Sequence, residues 1–154
     1  MKKIIFALGI GLAALSAQAA KPETYVGKQA HVLLKTAPDF AKAYREATRD
    51  VELPVWTKRL AAGQSAEIVE VGGNKRVLAS ACSKQGCLDE RIYILFDPDT
   101  KTASGFFFLP PDPDNLGDSR TAFSQWFGKP AKEISDFLLE RAASDAQSLN
   151  KSKY

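Results

Sequence analysis

The chain has few of the residues on which enzyme active sites are usually built. Its 154 residues include two cysteines and one histidine. A single histidine cannot serve both a catalytic triad and a metal centre, and the sequence contains no Gly-x-Ser-x-Gly motif to present a nucleophilic serine. Four residues separate Cys82 from Cys87, whereas thiol oxidoreductases use the Cys-x-x-Cys spacing. We therefore expect a protein that is not an enzyme, with no catalytic residue and no cofactor.

Carboxylates are plentiful, but no pair of them stands out as the acid and base of a glycosidase. The segment 110–118 has carboxylates and a glycine at some positions of a calcium-binding loop. Leu116 and Phe123, however, occupy two of the positions where such loops carry ligands. The lone His31 has no metal-binding or acid-base partner at a useful spacing. We therefore predict no metal site and interpret residues 110–118 as a solvated, proline-rich loop.

The sequence also lacks a long hydrophobic run. Met1-Lys2-Lys3 is a basic leader, residues 4–14 are uncharged, and Ala17-Gln18-Ala19 supplies small residues before a cleavage point. The apolar run is shorter than the roughly 20 residues that span a bilayer, which makes a retained anchor the weaker alternative. We predict a signal peptide over residues 1–19 and export to the periplasm, with no membrane association after cleavage.

Charge of one sign does not dominate. The formal net charge is +3, and it falls to about +1 without Lys2 and Lys3. This balance gives no reason to expect nucleic acid or a membrane surface as a partner. Residues 20–154 fit a single domain, large enough to bury its own core, and contain no internal repeat.

Hydrophobic periodicity predicts an α+β domain, in which helices flank an antiparallel β-meander sheet. Helices are predicted from Pro38 to about Asp50 and from Pro130 to about Ala146, with a short helix over residues 119–127. Residues 21–35 show no clear period. Four strands joined by hairpins are predicted at Ala66–Val71, Lys75–Cys82, Arg91–Phe96 and Thr102–Leu109.

The two cysteines flank the connection between the second and third predicted strands. In an exported chain such a pair is expected to be oxidised, and a hairpin can hold the two Cα atoms close enough for the bond. A ring of six residues stabilises the fold by only about 2 kcal/mol, so its expected role is to shape the loop. The polar residues Ser83, Lys84, Gln85 and Gly86 are predicted to project from the sheet and to bind in a cleft of another molecule.

Several of these features together resemble one family. Leu53-Pro54-Val55-Trp56, then Ser80-Ala81-Cys82, a four-residue polar insert before Cys87, and Arg91 are similar to the inhibitor of vertebrate lysozyme (Ivy) family. The resemblance extends from about Phe40 to the C-terminal helix. It implies a periplasmic inhibitor with a helix-flanked antiparallel sheet, frequently dimeric, whose disulfide loop plugs the active-site cleft of c-type lysozymes. A homodimer is thus among the expected partners.

The insert differs from the one typical of the family, which reads Lys-Pro-His-Asp. Here the four positions are Ser83, Lys84, Gln85 and Gly86. We expect the Lys84 ammonium and the Gln85 amide to contact the two carboxylates of a lysozyme cleft. Two alternatives remain: the target is a bacterial lytic wall enzyme, or the protein is a non-inhibitory envelope binding module with the same fold. The expected partner is therefore lysozyme or another peptidoglycan-cleaving enzyme.

Overall fold

The computed structural model describes residues 21–83, 86–109 and 123–151, without the side chains of residues 86–89 and 146–151. The predicted signal peptide, residues 1–19, and the proline-rich loop, residues 110–118, lie outside the described residues. So do Lys84 and Gln85.

Five antiparallel strands form one sheet in which each strand pairs with the next along the chain. The strands are β1 (Glu67–Val71), β2 (Asn74–Ser83), β3 (Gly86–Asp97), β4 (Thr102–Leu109) and β5 (Phe123–Phe127). The α-helices are α1 (Ala30–Thr36), α2 (Pro38–Ala47) and α3 (Lys132–Lys151), and two 3-10 helices cover Pro22–Thr24 and Val55–Lys58. The predicted α+β class and the meander order are confirmed.

The hairpin turns follow from local sequence. Gly72 and Gly73 join β1 to β2 with φ angles of 60° and 76°, a conformation that glycine adopts without steric cost. Between β3 and β4, Asp97 Oδ1 accepts hydrogen bonds from the backbone N–H groups of Asp99 and Thr100, at 3.0 and 3.1 Å. An aspartate that bonds its own turn in this way stabilises the reversal.

Both faces of the sheet are buried. Alternate residues of β2 and β3, among them Val77 and Ile94, pack with Leu33 and Phe40 of α1 and α2. The residues between them, such as Leu95, pack with Leu138 and Ala142 of α3. Helices therefore cover the sheet on both sides, in three layers. Burial on both faces explains why Ile92–Phe96 reads as an uninterrupted apolar run rather than as an alternating one.

The helix predicted over residues 119–127 is wrong for the part that the structure describes, because Phe123–Phe127 forms β5. Residues 119–122 lie outside the described residues. Three aromatic residues of this segment have a spacing that suits one face of a helix. In the strand they point to opposite faces: Trp126 stacks on Phe106 at 4.7 Å between ring centroids, and Phe127 contacts Tyr44 at 6.0 Å. Pairing with β4 buries aromatic groups on both sides of the sheet, which a short isolated helix could not do.

The helices agree with the sequence in part. Residues Ala30–Thr36, which show no clear period, form α1, and Ala30 and Leu33 are its buried positions. The predicted helix from Pro38 is confirmed and ends at Ala47. The predicted C-terminal helix is confirmed as α3. Within the described part of the chain, no helix combines the length and the apolar character needed to cross a membrane.

Candidate functional site

The predicted binding loop lies at the end of the β2–β3 hairpin. Ser83, the last residue of β2, pairs with Gly86, the first residue of β3. Two residues, Lys84 and Gln85, therefore connect the strands, and both lie outside the described residues. Ser83 is only 7% exposed, and its Oγ makes no hydrogen bond within the described part of the structure. Ser83 thus belongs to the base of the loop rather than to its surface.

The two strands of this hairpin differ in length near the loop. Cys82 pairs with Arg91, whereas the next residue, Ser83, pairs with Gly86. One step along β2 therefore corresponds to five steps along β3, and residues 87–90 have no counterpart on β2. Such an irregularity bends a strand and redirects its side chains. Cys87 is one of these unmatched residues, so the cysteine pair brackets the place where the regular ladder ends.

A neighbouring segment supports the base of the loop from the β2 side. The backbone N–H of Cys82 donates a hydrogen bond of 2.8 Å to the carbonyl oxygen of Ala62. Gly63 lies so close to β2 that a Cβ atom built on it would be 2.1 Å from the carbonyl oxygen of Ser80. Glycine is thus the one residue that permits this approach. The segment pairs with β2 beyond the end of β1 and fixes the backbone of Cys82.

The Leu53-Pro54-Val55-Trp56 motif supports the loop from the β3 side. The indole N–H of Trp56 donates a hydrogen bond to Glu90 Oε2, in the unmatched stretch of β3. The Trp56 ring also contacts Phe107 of β4, at 6.3 Å between centroids. Trp56 and Glu90 are 34 residues apart along the chain, so no local pattern reveals their contact. The motif therefore acts as a brace between the 3-10 helix and the loop base.

Apolar side chains are exposed at this end of the molecule. Val55, next to the bracing tryptophan, is 79% exposed. Phe123 at the start of β5 is 49% exposed, and its ring contacts Phe107 at 6.4 Å. Trp56, Phe107 and Phe123 thus form a row of aromatic rings that leads from the brace to the edge of the sheet. Exposed aliphatic and aromatic groups of this kind are suited to protein contacts.

Arg91 takes part in a buried polar network on the α3 side of the sheet. It is 8% exposed, and its Nη1 donates a hydrogen bond of 3.1 Å to the Tyr93 hydroxyl and lies 3.6 Å from Asp145 Oδ2. The Tyr93 hydroxyl in turn donates to Asp145 Oδ2 at 3.1 Å, and Arg141 Nε to Asp145 Oδ1 at 3.1 Å. Burial is the main cause of the raised pKa of Tyr93, whose phenol stays neutral and can donate.

This network joins α3 to the sheet. Arg141 also contacts Glu67 of β1, with 2.5 Å between Nη2 and Oε1. Arg91 pairs with Cys82 in the ladder between β2 and β3, but its guanidinium points to Asp145 of α3. In this chain Arg91 therefore joins α3 to the sheet rather than forming a surface contact.

The described residues contain no group of three or more histidine, cysteine or acidic side chains placed to hold a metal ion. Cys82, Trp56 and Glu90 instead lie at one edge of the fold, where β2, β3 and the 3-10 helix of Val55–Lys58 converge. The chemistry available there is hydrogen bonding and apolar contact, beside two supporting segments, one around Ala62 and one around Trp56.

Comparison with known proteins gives a consistent result. The family model described as "Inhibitor of vertebrate lysozyme (Ivy)" matches residues 39–139. An "Uncharacterized protein PA5481" of Pseudomonas aeruginosa is 27% identical over 151 residues, which cover 94% of this chain and 96% of that protein.

A second relative carries a functional name. The "Inhibitor of vertebrate lysozyme" of Pseudomonas aeruginosa is 27% identical over 99 residues, which cover 61% of this chain and 64% of that protein. The matched residues 39–139 extend from α2 into α3 and include the whole sheet, the brace and the cysteine loop. The chain therefore belongs to the inhibitor of vertebrate lysozyme (Ivy) family.

Proposed function

We propose that the mature protein, residues 20–154, is a periplasmic inhibitor of c-type lysozyme that occludes the active-site cleft with the loop between Cys82 and Cys87. The observation that carries this proposal is the family match across the domain. Ser83 and Gly86 end the two strands, and Lys84 and Gln85 are the residues that contact the enzyme. The signal peptide over residues 1–19 delivers the protein to the periplasm. A homodimer would present two such loops.

The disulfide between Cys82 and Cys87 is part of this proposal. Cys82 is buried near the end of β2, at the base of the loop. The only other cysteine in the sequence is Cys87, which directly follows the insert of residues 83–86. Closing this short ring removes conformations from the loop in the free protein, so less entropy is lost when the loop docks.

The chemistry of a lysozyme cleft fits a loop with hydrogen-bond donors. Two carboxyl groups flank the scissile glycosidic bond, one ionised and the other with a raised pKa. The Lys84 ammonium provides a cation for the ionised group, and the Gln85 amide donates to either. Hydrogen bonds to charged groups contribute about 1.5 to 3 kcal/mol each, enough for inhibition without any chemical step.

The exposed apolar residues fit the border of such an interface. Val55 lies on the segment that supports the loop base, Phe123 lies at the start of β5, and both are exposed in the free chain. A buried polar plug surrounded by apolar contacts excludes water from the charged pairs and strengthens them. We infer that the 3-10 helix of Val55–Lys58, which carries Trp56, both positions the loop and contacts the enzyme beside its cleft.

The test measures hydrolysis of bacterial cell walls by a c-type lysozyme in the presence of the purified mature protein. We expect inhibition that weakens at least severalfold in Lys84→Ala and in Gln85→Ala. Lys75→Ala is the matched control, since Lys75 lies at the turn of the opposite hairpin end and is exposed. Its inhibition should equal that of the parent protein. If Lys84→Ala and Gln85→Ala inhibit as well as the control and the parent protein do, the contact with the enzyme lies outside these two residues.

A second target class is favoured by one observation, the departure of all four insert residues from the family's Lys-Pro-His-Asp. In this alternative the loop binds a bacterial peptidoglycan-cleaving enzyme. Immobilised mature protein would then retain a lytic wall enzyme from a bacterial extract while leaving c-type lysozyme active. Retention should be lost in Lys84→Ala and kept in Lys75→Ala. If neither enzyme class is inhibited, the protein is an envelope binding module rather than an inhibitor.

A further inference from the structure

A concave cleft lies on the helical side of the molecule, outside the loop region. Its volume is about 890 Å³, within the range of small-molecule sites. The wall is formed by α1, by α2 and by the segment that leads through the 3-10 helix of Val55–Lys58 to Ala61. The lining residues are His31, Leu34, Lys35, Tyr44, Arg45, Thr48, Arg49, Val51, Leu53, Thr57, Lys58, Arg59 and Ala61.

The cleft concentrates positive charge. Five of its lining residues are cations, namely Lys35, Arg45, Arg49, Lys58 and Arg59, and none of the described lining residues is acidic. No ion pair involves any of the five among the described residues. In a chain with a formal net charge of +3, this is a strong local excess. A concave surface lined by one sign of charge attracts ligands of the opposite sign.

The interior of the cleft offers polar groups beside an apolar surface. His31 Nδ1 is buried and has no hydrogen-bond partner among the described residues. The Tyr44 hydroxyl is already used, since it donates a bond of 3.0 Å to the carbonyl oxygen of Thr57. Leu34, Val51 and Leu53 supply apolar surface beside these groups.

We propose that this cleft binds a small amphiphilic oxyanion, a molecule with a phosphate or carboxylate head and an apolar part. Arg45, in the last turn of α2, and Arg49, two residues beyond its end, both line the cleft, where two guanidinium groups can hold one head group. His31 lies in the wall of the cleft, so its imidazole reports whether the cleft is occupied. The apolar part lies against Leu34, Val51 and Leu53. The concave shape favours a dissolved molecule over the surface of a membrane.

The cleft is separate from the proposed inhibitory loop. Ala61 lines the cleft, and the next residue, Ala62, holds the backbone of Cys82. The two sites therefore share the segment from Leu53 to Ala62, whereas Arg45 and Arg49 belong to the cleft alone. For this reason cleft variants should keep the inhibitory activity of the parent protein, and failure of one proposal does not imply failure of the other.

The test uses isothermal titration calorimetry with hexyl phosphate below its micelle concentration. We expect binding that weakens at least about tenfold in Arg45→Ala/Arg49→Ala, because both guanidinium groups are lost. Lys42→Ala/Lys75→Ala removes the same charge outside the cleft and should bind as the parent does. Binding should also weaken with added salt, since charge attraction is screened over about 10 Å at 0.1 M.

Nuclear magnetic resonance supplies an independent readout, because the chain has one histidine. Hexyl phosphate should shift the imidazole signals of His31 in the parent and in the Lys42→Ala/Lys75→Ala control. Hexyl glucoside, which has the same tail without charge, should not. No binding, equal binding of hexyl glucoside, or equal binding by the arginine variant would overturn the proposal. Sedimentation with phosphatidylglycerol vesicles that depends on Arg45 and Arg49 would also overturn it, by assigning the site to a lipid surface.

Discussion

At the scale of single residues, Gly63 shows how one position supports a distant site. Its backbone approaches β2 so closely that any side chain would overlap the carbonyl oxygen of Ser80. The approach allows Ala62 to bond the backbone of Cys82, at the base of the loop. A glycine far from the cysteines in the sequence thus determines where the loop begins.

We predict that Gly63→Ala lowers the free energy of unfolding by more than about 3 kcal/mol, because the methyl group overlaps backbone atoms that cannot move away. Gly72→Ala is the matched control: its φ is also positive, but nothing lies within 4 Å of the added carbon. The control should lose about 1 to 2 kcal/mol from backbone strain alone. Urea unfolding measures both, and equal losses would contradict the close approach.

Arg91 is the second residue whose role the structure reassigns. The sequence marks it only as part of a family motif, whereas its guanidinium lies in the buried network with Tyr93 and Asp145. Removing one member of a buried charged network is costly, since the remaining charge loses its partner. Asp145 retains Arg141, which limits the loss.

We predict that Arg91→Met destabilises the protein by about 3 kcal/mol while lysozyme inhibition, measured well below the unfolding temperature, changes less than about twofold. Lys132→Met is the control, because it breaks the exposed Lys132–Asp136 pair of α3 and should leave stability nearly unchanged. Unfolding in denaturant and the cell-wall assay supply the two readouts. Lost inhibition with unchanged stability would instead place Arg91 in the interface.

At the scale of elements, the 3-10 helix of Val55–Lys58 links three parts of the molecule. The Tyr44 hydroxyl of α2 donates a hydrogen bond to Thr57, and Trp56 donates one to Glu90. Beyond the helix, Ala61 lines the cleft and Ala62 accepts a hydrogen bond from Cys82 at the loop base. Burial raises the pKa of Tyr44 to about 12, so the phenol remains neutral in the folded protein.

This pKa predicts a loss of stability in alkali. The pKa of the phenol in the unfolded chain is 10.0, so its contribution is fully present below that pH and is lost as the pH rises toward about 12. The folded state then binds more protons than the unfolded state, and the loss reaches about 2 to 3 kcal/mol. Tyr44→Phe cannot titrate and should show a shallower decline.

Unfolding in urea between about pH 8 and pH 11 measures this slope. Some slope should remain in Tyr44→Phe, since burial also raises the pKa of Tyr25 and of Tyr93. At neutral pH the variant should lose about 1 kcal/mol, because its hydrogen bond to Thr57 is absent. An unchanged slope would show that Tyr44 ionises as freely in the folded protein as in the unfolded chain.

At the scale of the whole molecule, stability and the proposed function reside in different places. The two apolar clusters on either side of the sheet form the core, and the cysteine loop lies at one end of β2 and β3. A short ring there adds little to a domain with two such clusters. The loop can therefore vary in sequence without loss of the fold.

We predict that Cys82→Ala/Cys87→Ala folds, is less stable by about 2 kcal/mol, and inhibits lysozyme at least severalfold less well. Alanine is preferred to serine because Cys82 is buried. The mass of the unreduced parent protein should be lower by two hydrogen atoms than that of the reduced protein. Full inhibition by the variant would mean that the ring does not shape the loop, and free thiols in the exported protein would exclude it.

The sequence by itself determined much of the framework. Strands β1 to β4, their glycine and aspartate turns, and helices α2 and α3 follow from local periodicity and turn chemistry. These signals act between neighbours in the chain, so they can be interpreted without the fold. The motif around Trp56 and the cysteines likewise indicated the family before the fold was known.

Only the tertiary structure decided the rest, because the deciding contacts join distant parts of the chain. Residues 123–127 form a strand because β4 offers an edge on which Trp126 and Phe127 are buried on opposite faces. Trp56 hydrogen bonds to Glu90, and Arg91 forms an ion pair with Asp145. Five cations line one cleft, although no local pattern places them there. Local sequence sets the elements, and packing between them sets which side chains meet.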